Sequence, residues 1–267
     1  MILKRIRDCE KEKEMKMYGW CNLTSHIQRA QIRIGSRQCR ISAPEREGDG
    51  WIPWQDSPEE DPCVIAHKLA KRMDTLYNVS KADSVLTSIP NLSTETKEKG
   101  FPIYQKILIN PSNPSDTSIT GNSCGAVQTG TDSSIVIQYN YNPNTKRPVS
   151  WLHTHPKRGY PAHSALDVYA LIEMAMANTH FQGAFVAAAD GSQYVLTVTD
   201  AAKAAQFLNT KSQYLDGAKW KETSDIGKTF EKAFEVFEKK YKNYDTTTQR
   251  NLAYEMAMAA VLDEFNA

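Results

Sequence analysis

Apolar residues fall at helical spacing in some stretches of this chain and alternate with polar ones in others, and the change of period marks out its elements. Residues 62–78 place Val64, Ile65, Leu69, Met73 and Leu76 on one face, with Pro62 at a first-turn position, which predicts a helix. From about residue 95 the period shortens. Residues 103–109 form one strand candidate. Residues 134–141 alternate so that Ile135, Ile137, Tyr139 and Tyr141 share a side, the pattern of a half-buried strand. Residues 149–155 give a further short strand, ended by Pro156. Between these, residues 110–132 are rich in Ser, Thr, Gly, Asn and Pro and read as a long polar loop.

Residues 164–178, dense in Leu, Ile, Met and Ala, predict a helix, and residues 183–189 and 193–199 flank Asp190-Gly191-Ser192, a hairpin signal. Three helices follow, near residues 201–209, 219–242 and 247–265. Ile226, Phe230, Phe234, Phe237 and Tyr241 form a stripe on the second, and Tyr254, Met258, Val261 and Phe265 one on the third. Such stripes serve as core faces or as a partner groove, and helical spacing favours the core. Residues 1–62, punctuated by Gly48, Gly50, Pro53, Pro58 and Pro62, read as irregular. The chain is therefore expected to be α+β, with a mid-sequence sheet and a helical C-terminal pair. Its expected parts are an irregular N-terminal segment (1–62), a central domain (63–210, core 95–200) and a C-terminal helical extension (211–267).

Composition narrows the class. The 267 residues contain no apolar run of transmembrane length, and their mean hydropathy is −0.54. Eight Phe, five Trp and twelve Tyr supply too much bulky apolar material for a disordered chain. A net charge of +1 gives no reason to expect a nucleic acid as main partner. That figure hides a net +6 over residues 1–46 and −6 over residues 47–62. These blocks are either two solvated halves that neutralise each other or a basic arm for an acidic partner. The five cysteines are widely spaced, without C-x-x-C, which argues against a zinc knuckle and for free thiols in a reducing compartment. The start, Met-Ile-Leu-Lys-Arg-Ile-Arg-Asp, has no apolar stretch behind it and so is not an ordinary signal peptide. A cytoplasmic location is expected, with leaderless export as an effector the other option.

The chemistry concentrates between Trp151 and Asp167. Strand side chains alternate, so His153 and His155 project from one face as a ready pair of metal ligands. Pro156, Gly159 and Pro161 turn the chain, and Ser164 and Asp167 then open the next helix. That return can bring the Asp167 carboxylate to the open side of both imidazoles. Two His and one carboxylate leave a fourth tetrahedral position for water, as catalytic zinc requires. Ser-x-x-Asp at a helix start is equally the pattern of a helix cap, with Ser164 capping and Asp167 favoured by the helix dipole. His163 reads as a loop residue rather than a ligand, and His180 has no partner in sequence.

His153-Thr154-His155-Pro156 followed by Ser164-Ala165-Leu166-Asp167 resembles the JAMM motif of the JAB/MPN metalloproteases, and Val149-Ser150-Trp151-Leu152 resembles that family's lead-in strand. The likeness is strongest to the bacterial JAB-like domains at the ends of polymorphic and RHS-type toxins, and it covers about residues 95–200. Eight residues separate His155 from Ser164, where the family usually has seven. The resemblance implies a cytidine-deaminase-like mixed sheet, zinc held by His153, His155 and Asp167, and Ser164 as a donor to the tetrahedral oxyanion. It also implies an upstream Glu as general base. The run Lys97-Glu98-Lys99-Gly100 resembles the family's E-x-G entry, which makes Glu98 the candidate and Glu95 the reserve. No other Glu lies between residue 99 and His153.

The resemblance implies a zinc-dependent peptidase or isopeptidase that hydrolyses a protein or peptide substrate, with an effector role or removal of a ubiquitin-like modifier as the settings. The competing reading is a non-catalytic MPN-like scaffold that binds zinc or a partner through its sheet or C-terminal helices. A His-x-His hydrolase on a β/α barrel is close to excluded. Only 112 residues, with two His among them, follow His155, and such a barrel needs about 250 residues in all. Trp51 and Trp54 are candidates to cover the zinc cleft.

Overall fold

The two histidines lie on the central strand of a mixed sheet in the computed structural model, which describes residues 2–6, 31–34, 37–39, 62–89 and 94–265. In chain order the larger elements are strands β1 (Ile2–Ile6), β2 (Gln31–Ile34) and β3 (Arg37–Cys39), then helices α1 (Pro62–Val79) and α2 (Ala82–Thr87). Strands β4 (Lys99–Asn110), β5 (Asn113–Cys124), β6 (Gln128–Thr129) and β7 (Lys146–His155) follow. Helix α3 (Ala165–Ala177) crosses to β8 (Gly183–Ala188), which turns back into β9 (Gln193–Thr197). Helices α4 (Ala201–Leu208) and α5 (Lys211–Tyr214) and the small hairpin β10 (Leu215–Asp216)–β11 (Lys219–Trp220) lead to the final pair, α6 (Asp225–Lys240) and α7 (Thr246–Glu264).

The sheet order is β3-β2-β1-β9-β8-β7-β4-β5, with β6 also on β4. Among the described strands only the neighbours β7 and β8 pair in parallel, and the crossover helix α3 joins them. Strand β7 is buried along its last eight residues, paired to β4 on one side and β8 on the other. Its alternation sorts the core into two layers. Trp151 faces α3 and packs with Tyr169, Ile172, Trp220 and Ile226, and with Met258 and Val261 of α7. Leu152 faces the opposite side, with Phe101, Ile103, Phe185 and Met73 and Leu76 of α1. The aromatic stripes of α6 and α7 therefore contribute core, since Phe230, Tyr254 and Phe265 pack against the α3 layer.

Three features depart from the sequence reading. Within residues 1–62, read as irregular, three short strands continue the sheet beyond β9. The polar stretch 110–132 is largely strand: β5 pairs with β4 from Ile103↔Cys124 to Asn110↔Asn113. Residues 134–141 join no ladder, although Ile135, Ile137 and Tyr139 are half-buried and Val136 is 76% exposed, as their alternation requires. The Gln128 side chain takes the place of a neighbouring strand there. Its amide nitrogen donates to the Gln138 carbonyl and its oxygen accepts from the Gln138 N–H, both at 2.8 Å. Trp51, Trp54 and the acidic block up to residue 61 lie outside the described residues. No described helix is long and apolar enough to cross a membrane.

Candidate metal centre

Each side chain of the site is placed by a local rule. Period two puts His153 and His155 on the α3 face of β7, at its carboxyl end, and Pro156 stops the strand there. The chain returns through residues 156–163, and Ser164 caps α3 by accepting from the Asp167 N–H. Asp167 answers as a capping box. Its Oδ2 accepts from the Ser164 N–H at 2.7 Å and from Ser164 Oγ at 2.8 Å. Cap and ligand are thus not alternatives, because the cap aims the carboxylate at the histidines.

His153, His155 and Asp167 form a group that can hold a metal ion. His153 Nε2 lies 3.1 Å from His155 Nε2 and 3.3 Å from Asp167 Oδ1, and His155 Nε2 lies 3.5 Å from Asp167 Oδ2. Tetrahedral coordination with bonds of about 2.0–2.1 Å separates neighbouring donors by roughly 3.3–3.4 Å. The nearest contacts, one to each Asp167 oxygen, fall close to that spacing, and with one oxygen chosen the three donors lie within 4.8 Å of one another. Its protonation points the same way. His155 Nδ1 is 2.8 Å from the Tyr160 carbonyl, which can only accept, so the neutral ring carries its hydrogen on Nδ1 and a bare lone pair on Nε2. That lone pair faces a second imidazole and a carboxylate, and such a convergence calls for a cation, proton or metal. Burial opposes charge on His155, but Asp167, Glu98 and the Tyr160 carbonyl hold its pKa above the ordinary value. Burial likewise disfavours charge on Asp167, yet the two histidines keep its carboxyl well below the usual range.

Glu98 is the buried carboxylate beside this triangle, 7% exposed. It lies two residues before Gly100, which pairs with His153 at the end of the β4–β7 ladder, and it interacts electrostatically with His153, His155 and Asp167. Its backbone is pinned by Glu98 N–H to the Thr131 carbonyl at 2.7 Å and by Gly130 N–H to the Glu98 carbonyl at 2.8 Å. The next amide, Lys99 N–H, donates to Thr154 Oγ1 at 2.9 Å. Burial raises the Glu98 pKa, the charges of His153 and His155 lower it, and Asp167 and Asp132 raise it further, leaving it above the ordinary value. Gly100 allows this approach. A Cβ there would stand 2.9 Å from the Leu152 carbonyl oxygen and 3.0 Å from His153 Cβ. Glu95, the reserve, is engaged elsewhere: it accepts from the Thr96 and Lys97 amides and pairs with Lys99 at 3.5 Å.

Two more histidines follow His155 in the chain. His163 is in the loop and outside the ligand triangle, but it is 1% exposed and its ring meets that of His153 at 6.3 Å, edge to face. Neither of its ring nitrogens makes a hydrogen bond of normal geometry, and burial pulls its pKa down to about 3. His180 lies apart, with Nε2 2.9 Å from Arg147 Nη1. Sequence reasoning missed the burial of His163 and the part played by Tyr160, for which proximity to Pro161 was the only local signal. A cleft of about 810 Å³ opens among chain neighbours of the site, although neither the triangle nor Glu98 lines it. Its walls are the segments that lead into Glu98 and out of His155, with Lys97, Thr131, Asp132, Lys157 and Arg158 among the lining residues.

A scan against protein-family models found no match, and no curated protein matches the sequence. The site must be read from its own geometry.

Proposed function

We propose that the chain is a zinc-dependent peptidase or isopeptidase of JAMM type on a JAB/MPN-like fold. The observation that carries this reading is a triangle of metal donors with a buried carboxylate, Glu98, held beside it. Bound by His153, His155 and Asp167, zinc would supply an activated water at its open position and polarise the amide carbonyl. The chain's own residues do the rest. Glu98, whose raised pKa brings it closer to neutrality, accepts a proton from the attacking water on a carboxylate oxygen and delivers it to the leaving amine nitrogen. Ser164 Oγ is directed at Asp167 Oδ2, so its first duty is to hold the carboxylate. It serves as oxyanion donor only by turning away from that bond. A substrate chain reaching the triangle would run along the cleft walled by residues 94–97 and 156–158.

Metal analysis of protein purified without chelators, together with Glu98→Gln, tests the reading. About one zinc per chain is expected in both proteins. Hydrolysis of a quenched-fluorescence peptide mixture is expected only in the parent. Absence of zinc from the parent overturns the proposal. Zinc without hydrolysis in either protein favours the non-catalytic scaffold.

A further inference from the structure

The return loop between the second histidine and Asp167 has one turn bond of its own, Gly159 N–H to the Pro156 carbonyl at 3.0 Å, and the Ser164–Asp167 cap at its end. Tyr160 between them is held from outside. Its Tyr160 carbonyl accepts from His155 Nδ1, and the same residue's ring is gripped by the last two helices. Tyr254 of α7 stacks on it with centroids 4.1 Å apart and planes 8° from parallel. Phe234 of α6 meets its edge at 6.1 Å. Arg250 of α7 donates from Nη2 to the Tyr160 hydroxyl at 3.0 Å while its guanidinium lies 6.0 Å from the ring centroid. Tyr254 also brings its hydroxyl to 3.5 Å from the His163 carbonyl. Ring, hydroxyl and downstream backbone of the loop are all met by the helical pair.

We propose that α6 and α7 are a working part of the metal centre: through the Tyr160–Tyr254 stack they fix the carbonyl that sets the tautomer and orientation of His155. This rests on the metal reading above but adds residues that touch neither metal nor substrate. Tyr160 and Tyr254 are positioning residues. The acceptor is a main-chain oxygen that no substitution removes, so its position is tested through what holds the ring, beside the Gly159–Pro156 turn bond. An outer partner that fixes a metal-binding imidazole commonly governs about 10–100-fold in metal affinity. Tyr254 is 99 residues from His155 in sequence, so the coupling arises only in the folded chain.

The test compares the full-length parent with Tyr254→Ala, Tyr254→Phe and Phe237→Ala. The last breaks the Phe237–Tyr241 stack farther along α6 and serves as a control for general loosening of the pair. Two readouts are taken: zinc affinity by chelator competition, and the ¹⁵N shifts of the His155 ring in metal-free protein at a pH above its titration, where the ring is neutral. Tyr254→Ala is expected to weaken zinc by about 10–100-fold and to lose the single Nδ1–H tautomer. Tyr254→Phe, which keeps the stack, should restore both, and Phe237→Ala should lower the melting temperature without moving either. Unchanged affinity and tautomer in Tyr254→Ala overturn the inference while leaving the zinc reading intact. A parent that binds no zinc, but whose His155 tautomer is lost in Tyr254→Ala, overturns the zinc reading and upholds the positioning role.

Discussion

Ser164 holds Asp167 by two hydrogen bonds into a single oxygen, from its amide at 2.7 Å and its hydroxyl at 2.8 Å, and this leaves Asp167 Oδ1 3.3 Å from His153 Nε2. One capping box therefore both starts α3 and completes the donor triangle. Removing the hydroxyl with Ser164→Ala should cost about 1 kcal/mol of stability through the lost cap. It should also weaken zinc by about tenfold, the low end for an outer partner, because the Ser164 amide still holds Oδ2. Ser164→Thr restores the hydroxyl and should recover both. Calorimetric zinc titration of the two variants checks this, and full affinity in Ser164→Ala would separate the cap from the site.

The protons of the triangle predict opposite pH trends with and without metal. The pKa of His155 is raised, so the stability its proton supplies is complete below the ordinary imidazole value and disappears as pH climbs through the raised one. The pKa of Asp167 is depressed, so its contribution is present above the ordinary carboxylate value and is lost only as pH falls through the depressed one. Metal-free protein should thus lose stability as pH rises from mildly acidic to alkaline. Zinc needs the bare Nε2 of His155, so its affinity should rise over the same span. Thermal melts with and without zinc should show a metal-induced shift that grows between about pH 6 and pH 8. A shift constant across that range would mean that His155 is not a ligand.

The legible parts of this fold are those whose signal is local. His-x-His followed by Ser-x-x-Asp could be read because strand alternation and helix capping act within a few residues, and both lie where the motif put them. Strand β5 was hidden because it is an edge strand bonded to β4 alone; Ile119 on it and Leu108 on its partner are 54% and 63% exposed. Main-chain bonds hold it, so no hydrophobic period was needed. Residues 134–141 erred in the other direction. Alternation reports which side chains are buried, not whether a ladder partner exists, and Gln128 filled that place. The tie from Tyr254 to His155 is tertiary, and no window of sequence contains it.

Glycine 100 supplies a test of how tightly β4 and β7 must meet. The backbone oxygen of Leu152, 2.9 Å from where a Cβ would stand, cannot swing away as a side-chain tip would. Gly100→Ala should therefore push the strands apart beside His153, at a cost of about 1–3 kcal/mol for overpacking. Zinc affinity should fall together with stability, because His153 moves with its strand. A variant that melts lower yet binds zinc as tightly as the parent would show that the triangle tolerates the displacement.

The cleft supplies the last expectation, on substrate choice. Lys157 and Arg158 directly follow Pro156 and line it with Lys97, and none of the three forms an ion pair among the described residues. Glu95, in the same wall, is answered by Lys99, so Asp132 is the one lining acid among them without an ion-pair partner. The balance favours a substrate chain with an acidic side chain near the scissile bond. Exposed charges contribute only about 0.2–1 kcal/mol each. Reversing two of them, Lys157→Glu with Arg158→Glu, should raise KM for an acidic peptide by about tenfold at low salt while leaving kcat nearly unchanged. The effect should shrink as ionic strength rises, because screening at about 10 Å in 0.1 M salt reaches an open cleft easily. A matched peptide with a basic residue at the same position should improve in the variant. Equal losses on both peptides would place Lys157 and Arg158 outside recognition and leave the cleft to select by shape alone.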